Sequence, residues 1–385
     1  MILPPLEGVA EDREAGWRQG KAFPFSIFPS FFFIFSSIPK IKKSWYISPM
    51  VTIYDIAKIT GHSAPTVSKA LNGQGTLSEK TRKLITDTAK KMGYEPNITA
   101  RTLTTKKSNL IGVIYDDTGM NRGFAHPLFS VLLNRFREQV ESAGYDLVFL
   151  SRYSKMSYYA HARYRSVDGV IIINPATGNI SEFQEFIDEN LPRISTNSIF
   201  PGICTIISDN EKAGYLAAEY FIKKGHKKIA YLCAPRRDIS TAPQERLVGF
   251  KRALTDYNIS FDENLFEESE FWESKGGYKA FKNLYSRTQD FTAIFCVTDT
   301  LAFGLYEAAR DLGLKIPDDI SVIGFDDDFS DSLIYPPLTS FHQDAIKIAD
   351  LACEMMMQQI AEIPVPDSIR CEVELKERGS VKDLN

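Results

Sequence analysis

The sequence predicts a small basic all-α module followed by an α/β body of parallel sheets, on the strength of three observations. Between residues 50 and 96, apolar residues recur at helical spacing in three short runs, each preceded by a capping residue. From residue 110 onward, β-branched apolar runs alternate with amphipathic stretches of about a dozen residues or more. Charge divides along the same line. The chain as a whole carries −4, but residues 50–108 hold 10 Lys and Arg against 4 Asp and Glu, and residues 1–49 hold 6 against 4. Residues 109–385 therefore sum to −12. A cationic module joined to an acidic body points to a polyanion met by the module alone, which the whole-chain pI near 5.9 conceals.

The elements of the module follow in order. Thr52 caps the first helix with Asp55 three residues on, and Gly61 ends it. Ser63 caps the second, which tolerates Pro65 in its first turn and closes at Gly73. Ser78 opens the third, which runs to Gly93. Ile53, Ile56, Ala57, Val67, Leu71, Leu84, Ile85 and Ala89 are its expected core. Two short helices joined by a tight glycine-containing turn make a helix-turn-helix pattern.

In the body, strands are expected at 110–115, 146–150, 169–173, 193–196, 229–232, 293–297 and 321–325. Helices are expected at 127–143, 210–224, 241–257 and 300–312. At least ten strands over this length favour two sheets over one, and no internal sequence repeat is visible.

Other features narrow the class. Hydrophobic content of 44% and charged content of 24% are those of a globular protein. The five cysteines, Cys204, Cys233, Cys296, Cys353 and Cys371, show no C-x-x-C spacing and are expected as reduced, mostly buried thiols of a cytoplasmic protein. The aromatic run 23–38 resembles the apolar part of a signal peptide, but it is short for a membrane span and holds Pro24 and Pro29. Residues 1–49 are read as an extension without a fold ahead of a start at Met50, a membrane anchor being the lesser reading.

The segment VTIYDIAKITGHSAPTVSKALNG (51–73) resembles the headpiece of the lactose/galactose repressor family of bacterial regulators. The likeness continues through LSEKTRKLITDTAKKMGYEPN (77–97) to LIGVI (110–114) and covers essentially everything after Met50. It implies a helix-turn-helix DNA-binding domain at 50–96, a hinge at 97–108, and an effector-binding and dimerisation core at 109–385. That core would be periplasmic-binding-protein-like, with two doubly wound parallel-sheet subdomains. Subdomain 1 would take about 109–209 plus 343–369, and subdomain 2 about 210–342 plus 370–380.

A recognition helix in the major groove offers its N-terminal residues to base edges. Here those are Ala64 and Pro65, limited to apolar contact, and Lys69, able to donate to guanine O6 and N7. Tyr54, Ser63, Thr66, Ser68, Asn72, Tyr94 and Asn97 suit phosphate contact, although Ser63 and Ser68 read equally as cap and helix surface. The hinge NITARTLTTKKS (97–108), with four threonines, is too short and weak to fold alone. The resemblance implies that Ala100 and Leu103 meet DNA there, Leu103 as a minor-groove wedge.

The resemblance also carries cleft positions. Arg246, in ERLVGF, falls at an arginine that anchors ligand oxygens; Trp272, in FWESKGGY, at an aromatic platform; and Asp326, in IGFDD, at a carboxylate that accepts from hydroxyls. Asn197, Thr298 and Gln343 fall at polar lining positions and Phe129 near the first strand-to-helix turn. Each has a plainer alternative: Trp272 as core packing, Arg246 as a surface ion-pair partner, Asp326–Asp328 as a solvated acidic turn. Ser240 and Ala242 do not supply the groups expected of a purine-binding member. The motif IYPPLTSFHQD (334–344) is similar to the family's crossover between subdomains.

The expected function is a homodimeric repressor of operator DNA controlled by a mono- or disaccharide, with no cofactor, no metal and no membrane partner. A catabolite-control-type regulator answering to a protein partner is the alternative within the class. A sugar-binding transport receptor would explain the body but not residues 50–108. An enzyme is disfavoured, since no G-x-x-x-x-G-K, G-x-G-x-x-G or H-E-x-x-H motif is present and the five histidines lack ligand spacing.

Overall fold

The computed structural model describes residues 51–73, 75–95, 107–116, 122–152, 156–175, 179–235 and 240–385. The expected extension 1–49 and most of the expected hinge, with Asn97, Ala100 and Leu103, lie outside the described residues. The chain divides between Glu95 and Pro96 into two compact units.

The first unit holds three helices, α1 (Ile53–Thr60), α2 (Ala64–Leu71) and α3 (Glu79–Met92). Thr52 and Asp55 form a reciprocal capping box on α1, and Gly61 ends it in the left-handed region. Ser63 caps α2 and Ser78 caps α3, each accepting from the amide three residues on. Ile56, Val67, Ala70, Ile85 and Ala89 form the buried core, with Ile53, Ala57, Leu71, Leu77, Met92 and Tyr94 packed around it. Leu84, expected in this core, is 49% exposed. Helix α3 turns Ile85, Ala89 and Met92 inward at spacings of four and three, and Leu84 stands one residue, or about 100°, off that stripe. Arg82 donates to the carbonyls of Ala70 and Gly75, tying α3 to the end of α2.

The second unit runs β1 (Leu110–Tyr115), α4 (Pro127–Ser142), β2 (Asp146–Leu150), α5 (Tyr158–Arg165), β3 (Gly169–Asn174), α6 (Ser181–Asp188), β4 (Arg193–Ser195), β5 (Cys204–Ser208), α7 (Asn210–Lys223) and β6 (Ile229–Cys233). It continues with α8 (Ala242–Asp256), β7 (Phe266–Glu268), α9 (Ser274–Arg287), β8 (Ala293–Cys296), α10 (Asp299–Asp311), β9 (Ser321–Asp326), β10 (Thr339–Gln343), α11 (Ala345–Ile360), β11 (Ser368–Cys371) and β12 (Val373–Lys376). The strands form two sheets, ordered β11-β5-β4-β3-β1-β2 and β12-β10-β9-β8-β6-β7. Every pairing is parallel except β10 with β12. The two orders match strand for strand, a structural repeat with no counterpart in sequence identity.

Central strands such as β3, buried at all six positions, are covered by helices on both faces, which is why they read as continuous apolar runs. Separate apolar clusters pack the two faces of the first sheet, one around Phe136 and Met356 and the other around Phe183 and Phe186. The second sheet is packed by a cluster around Phe250, Phe281 and Phe295. All five cysteines are free and buried.

The chain passes between sheets after Ser208, after Gln343 and after Cys371. Strand β11 spans the expected division at 369/370 and pairs along its whole length with β5 in the first sheet. Helices α7 and α8 pack very closely: a Cβ on Gly214 would lie 1.8 Å from the Arg246 carbonyl oxygen, and one on Gly249 1.8 Å from that of Glu211. Only glycine permits that approach. In each sheet the carboxyl ends of the parallel strands, where open α/β folds bind ligands, lead into the same interior cleft.

Candidate functional site

In the first unit, α2 presents a polar face opposite its buried Val67 and Ala70. Pro65, Lys69, Asn72 and Ser63 are exposed there, with Ala64, Thr66 and Ser68 half-buried. Ser63 and Thr66 hydroxyls lie 2.8 Å apart, and Asn72 donates to the Ser68 hydroxyl at 3.3 Å. Such short polar side chains, already held in place, can add a phosphate oxygen without large reordering. Tyr54 on α1 is 72% exposed. Tyr94 differs from the rest, being packed against the unit's core.

In the second unit a cleft opens between the two half-cores, lined by residues of both. Phe129, Asn197, Arg246, Trp272, Thr298, Asp326 and Gln343 all line it. Residues from the first half (Phe129, Leu132, Asn197, Ile207) face residues from the second (Pro243, Arg246, Trp272, Asp326), so a bound molecule would touch both.

Arg246, carried by α8, is 4% exposed, which excludes the surface ion-pair reading. Its Nε donates to Asn210 Oδ1 at 2.9 Å and its Nη1 to the Val297 carbonyl. Its guanidinium stacks over Phe325 at 3.4 Å from the ring centroid. Nη2 makes no hydrogen bond among the described residues. Burial holds the guanidinium down to about 10, still a cation at neutral pH. Asn210 is itself fixed, donating to the Ser208 carbonyl at 3.0 Å and to Glu245 at 3.3 Å.

Asp326 closes β9 with φ at 131°, a conformation costing about 1–3 kcal/mol outside glycine. Gln343 Nε2 donates to its Oδ1 at 2.7 Å, and Gln343 Oε1 accepts from Ser208 at 2.7 Å. Both ends of the Gln343 amide are thus engaged, linking the last residues of β5, β10 and β9. Desolvation, then the nearby Asp299, push the Asp326 carboxyl up to about 8, opposed by Arg246. The solvated-turn reading fails for its neighbours too: Asp327 pairs with Arg378 and, at 3.0 Å, with His342, while the Asp328 amide donates to Asp299 at 3.0 Å.

Trp272 is half-buried, lining the cleft while packing on the second-sheet core. The Thr298 hydroxyl caps α10 by accepting from Leu301. Among the lining residues that escaped sequence reasoning are Arg122, His126 and Asn210. Arg122 approaches Asp328 of the other half at 3.9 Å. His126 stacks on Phe129 at 4.3 Å and caps α4 just before Pro127, a cap-before-proline pattern that could have marked it. Asn210 carries no such signal, since it reads as the ordinary first residue of a helix.

Comparisons with known proteins agree with this architecture. Residues 52–97 match the description "Bacterial regulatory proteins, lacI family", and residues 218–381 match "Periplasmic binding protein-like domain". The HTH-type transcriptional regulator DegA of Bacillus subtilis (strain 168) is 31% identical over 303 residues, 76% of this chain and 86% of DegA. Among solved structures, the lac repressor dimer bound to operator and the anti-inducer ONPF superposes with a TM-score of 0.72 at 25% identity, over 86% of this chain and 99% of that one. A LacI family transcriptional regulator from Enterococcus faecium with bound ribose gives 0.61 at 25%, over 72% and 100%. A relative matched at this level over most of its length, with headpiece and core descriptions falling in the same order, places the chain in the lacI family of bacterial regulatory proteins, as a helix-turn-helix DNA-binding transcriptional regulator with a periplasmic-binding-protein-like core.

Proposed function

We propose that the chain is a repressor whose hold on its operator is set by a sugar bound in the core cleft. The observation that carries this reading is the convergence of Arg246, Trp272 and Asp326 on one cleft between two half-cores. Arg246 offers a fixed donor, Asp326 a carboxyl able to pair with a hydroxyl, and Trp272 an apolar face for the C–H side of a pyranose or furanose ring. The apolar walls from Phe129, Leu132 and Ile207 would exclude water around these polar groups.

On the DNA side, Lys69 reads bases, Ala64 and Pro65 make apolar contact, and Tyr54, Ser63, Thr66, Ser68, Asn72, Tyr94 and Asn97 hold phosphates. Ala100 and Leu103 complete the contact from the hinge. Ligand binding favours one arrangement of the two half-cores, and the operator-bound dimer favours another. The two events oppose each other through that equilibrium. The effector is proposed as a mono- or disaccharide and the assembly as a homodimer.

Selection of duplexes from a randomised library, with and without a panel of mono- and disaccharides, tests the proposal. Lys69→Ala should relax base preference at one position, whereas loss of a phosphate contact such as Tyr54→Phe should weaken all duplexes alike. A chain that enriches no duplex, or whose enriched duplex is indifferent to every sugar, refutes the proposal.

A further inference from the structure

The last residue of the expected hinge and the first residue of the core are held by one carboxylate. Asp168 stands immediately before β3, and its two oxygens accept from successive backbone amides, Oδ1 from Ser108 at 3.0 Å and Oδ2 from Asn109 at 2.7 Å. Its own amide donates to the Leu110 carbonyl at 2.8 Å, while the Asn109 carbonyl accepts from the Asp146 amide at 2.8 Å. Ser108 is 7% exposed, and its hydroxyl accepts from the Leu110 amide at 3.1 Å. Asn109 turns with φ at 56°, a left-handed conformation that asparagine adopts more readily than most residues. Charge-assisted bonds to backbone amides are about twice as strong as neutral ones, so this is a rigid attachment at the edge of a segment.

Among the described residues, the Asp168 carboxylate accepts from no strand of the first sheet. The strand begins at Gly169, and Val167 already fills the apolar cluster beneath. The groups its carboxylate satisfies belong to the incoming chain, just ahead of β1.

We propose that Asp168 is a positioning residue for operator binding: it fixes where and in which direction the connection to the DNA-reading unit leaves the core. This rests on the repressor reading above. A connection rooted by two carboxylate bonds follows any shift of the first sheet. A connection freed at Ser108 and Asn109 has two more residues to order when DNA is bound. Fixing two backbone residues lowers affinity tenfold or more. The same slack absorbs part of any movement between the half-cores, so the response to a cleft ligand shrinks together with operator affinity.

The experiment uses the full chain and the duplex that the wild type enriches most from a randomised library. Dissociation constants for that duplex and for unselected duplex are measured on Asp168→Ala, Asp168→Asn and Asp146→Ala, with hydrogen exchange of the peptide covering 107–115. Asp168→Ala should lose tenfold or more on the selected duplex, Asp168→Asn less because one acceptor remains, and Asp146→Ala nothing. Affinity for unselected duplex, carried by the basic unit, should hold in all three, and exchange at 108–110 should quicken only in the Asp168 variants. Asp168→Ala binding the selected duplex within twofold of the wild type, or losing selected and unselected duplex in parallel, overturns the proposal. If the wild type enriches no duplex at all, the repressor reading fails first and this inference falls with it; that arm is read before any variant is made.

Discussion

Replacing Arg246 tests the cleft most sharply, because its side chain has both a structural and a proposed recognition task. Arg246→Ala leaves Asn210 Oδ1 and the Val297 carbonyl without their donor inside the protein. Each buried acceptor left unpaired costs about 1–3 kcal/mol. The Phe325 ring loses its stacked cation, and Asp326 loses the Arg246 charge that favours its ionised form. Core stability should therefore fall by about 2–5 kcal/mol, in line with breaking a buried polar pair from one side. A charged hydrogen bond from Nη2 to ligand is worth about 1.5–3 kcal/mol, so sugar affinity should drop by about 10- to 150-fold. Arg246→Lys keeps the charge but not the planar fork, and should recover less than half of either loss. Calorimetric titration with the sugar that binds the wild type, on variants shown to unfold cooperatively at the working temperature, gives both numbers. A folded Arg246→Ala core that binds the sugar within threefold of wild type would refute the assignment.

Three further outcomes follow from the same geometry. The chain has three tryptophans, and Trp17 and Trp45 precede Met50; in a protein begun at Met50, Trp272 is the sole indole, so sugar binding should change its fluorescence, and Trp272→Ala should weaken binding by roughly tenfold through loss of the ring contact. Gly214→Ala drives a methyl to 1.8 Å from the Arg246 carbonyl, so α7 and α8 must part; a loss of about 1–3 kcal/mol is expected in chemical unfolding, with weakened ligand binding alongside. Asp331 is wholly buried, and burial together with the adjoining Asp299 carboxyl raises it well above the usual carboxylate range, against the opposing pull of Arg378 at 3.7 Å. A carboxyl raised in the folded state lends stability that is complete below the unfolded value near pH 4 and is lost as pH rises toward the folded value, at up to about 1.4 kcal/mol per pH unit. Wild-type melting temperature should therefore fall from pH 5 to pH 8, and Asp331→Asn should flatten that slope and be the more stable protein at pH 8; an unchanged slope would show that Asp331 ionises freely.

Particular residues show what a sequence reveals and what it hides. The caps Thr52, Ser63 and Ser78 and the terminators Gly61 and Gly93 are local signals, and the three headpiece helices follow them to within a residue. Strands buried on both faces, β1, β3, β6 and β9 among them, announce themselves as unbroken apolar runs. Strands β5, β7, β10, β11 and β12 went unrecognised as such. β7 has only three residues, all half-buried; β11 and β12 are edge strands with polar positions; and β10 carries Thr, Ser, His and Gln that the core satisfies by hydrogen bonding. Leu84 fits the helical spacing expected of the core, yet it is adjacent to Ile85, and only packing shows which of the two turns inward. In the cleft, Arg246, Trp272 and Asp326 were accessible through short motifs. Their supports, Asn210 beneath Arg246 and Ser208 behind Gln343, depend on contacts between elements far apart in the chain and have no local mark.

The account's central claim is a single coupling between cleft and operator, and linkage makes it measurable from both ends. Operator affinity is measured with and without saturating sugar, and sugar affinity with and without saturating operator duplex, all on one preparation of the full chain. The two ratios must be equal, and a shift of tenfold or more in each is expected. Sugar that binds with the same affinity whether or not operator is present would contradict the claim, however tightly either ligand is held.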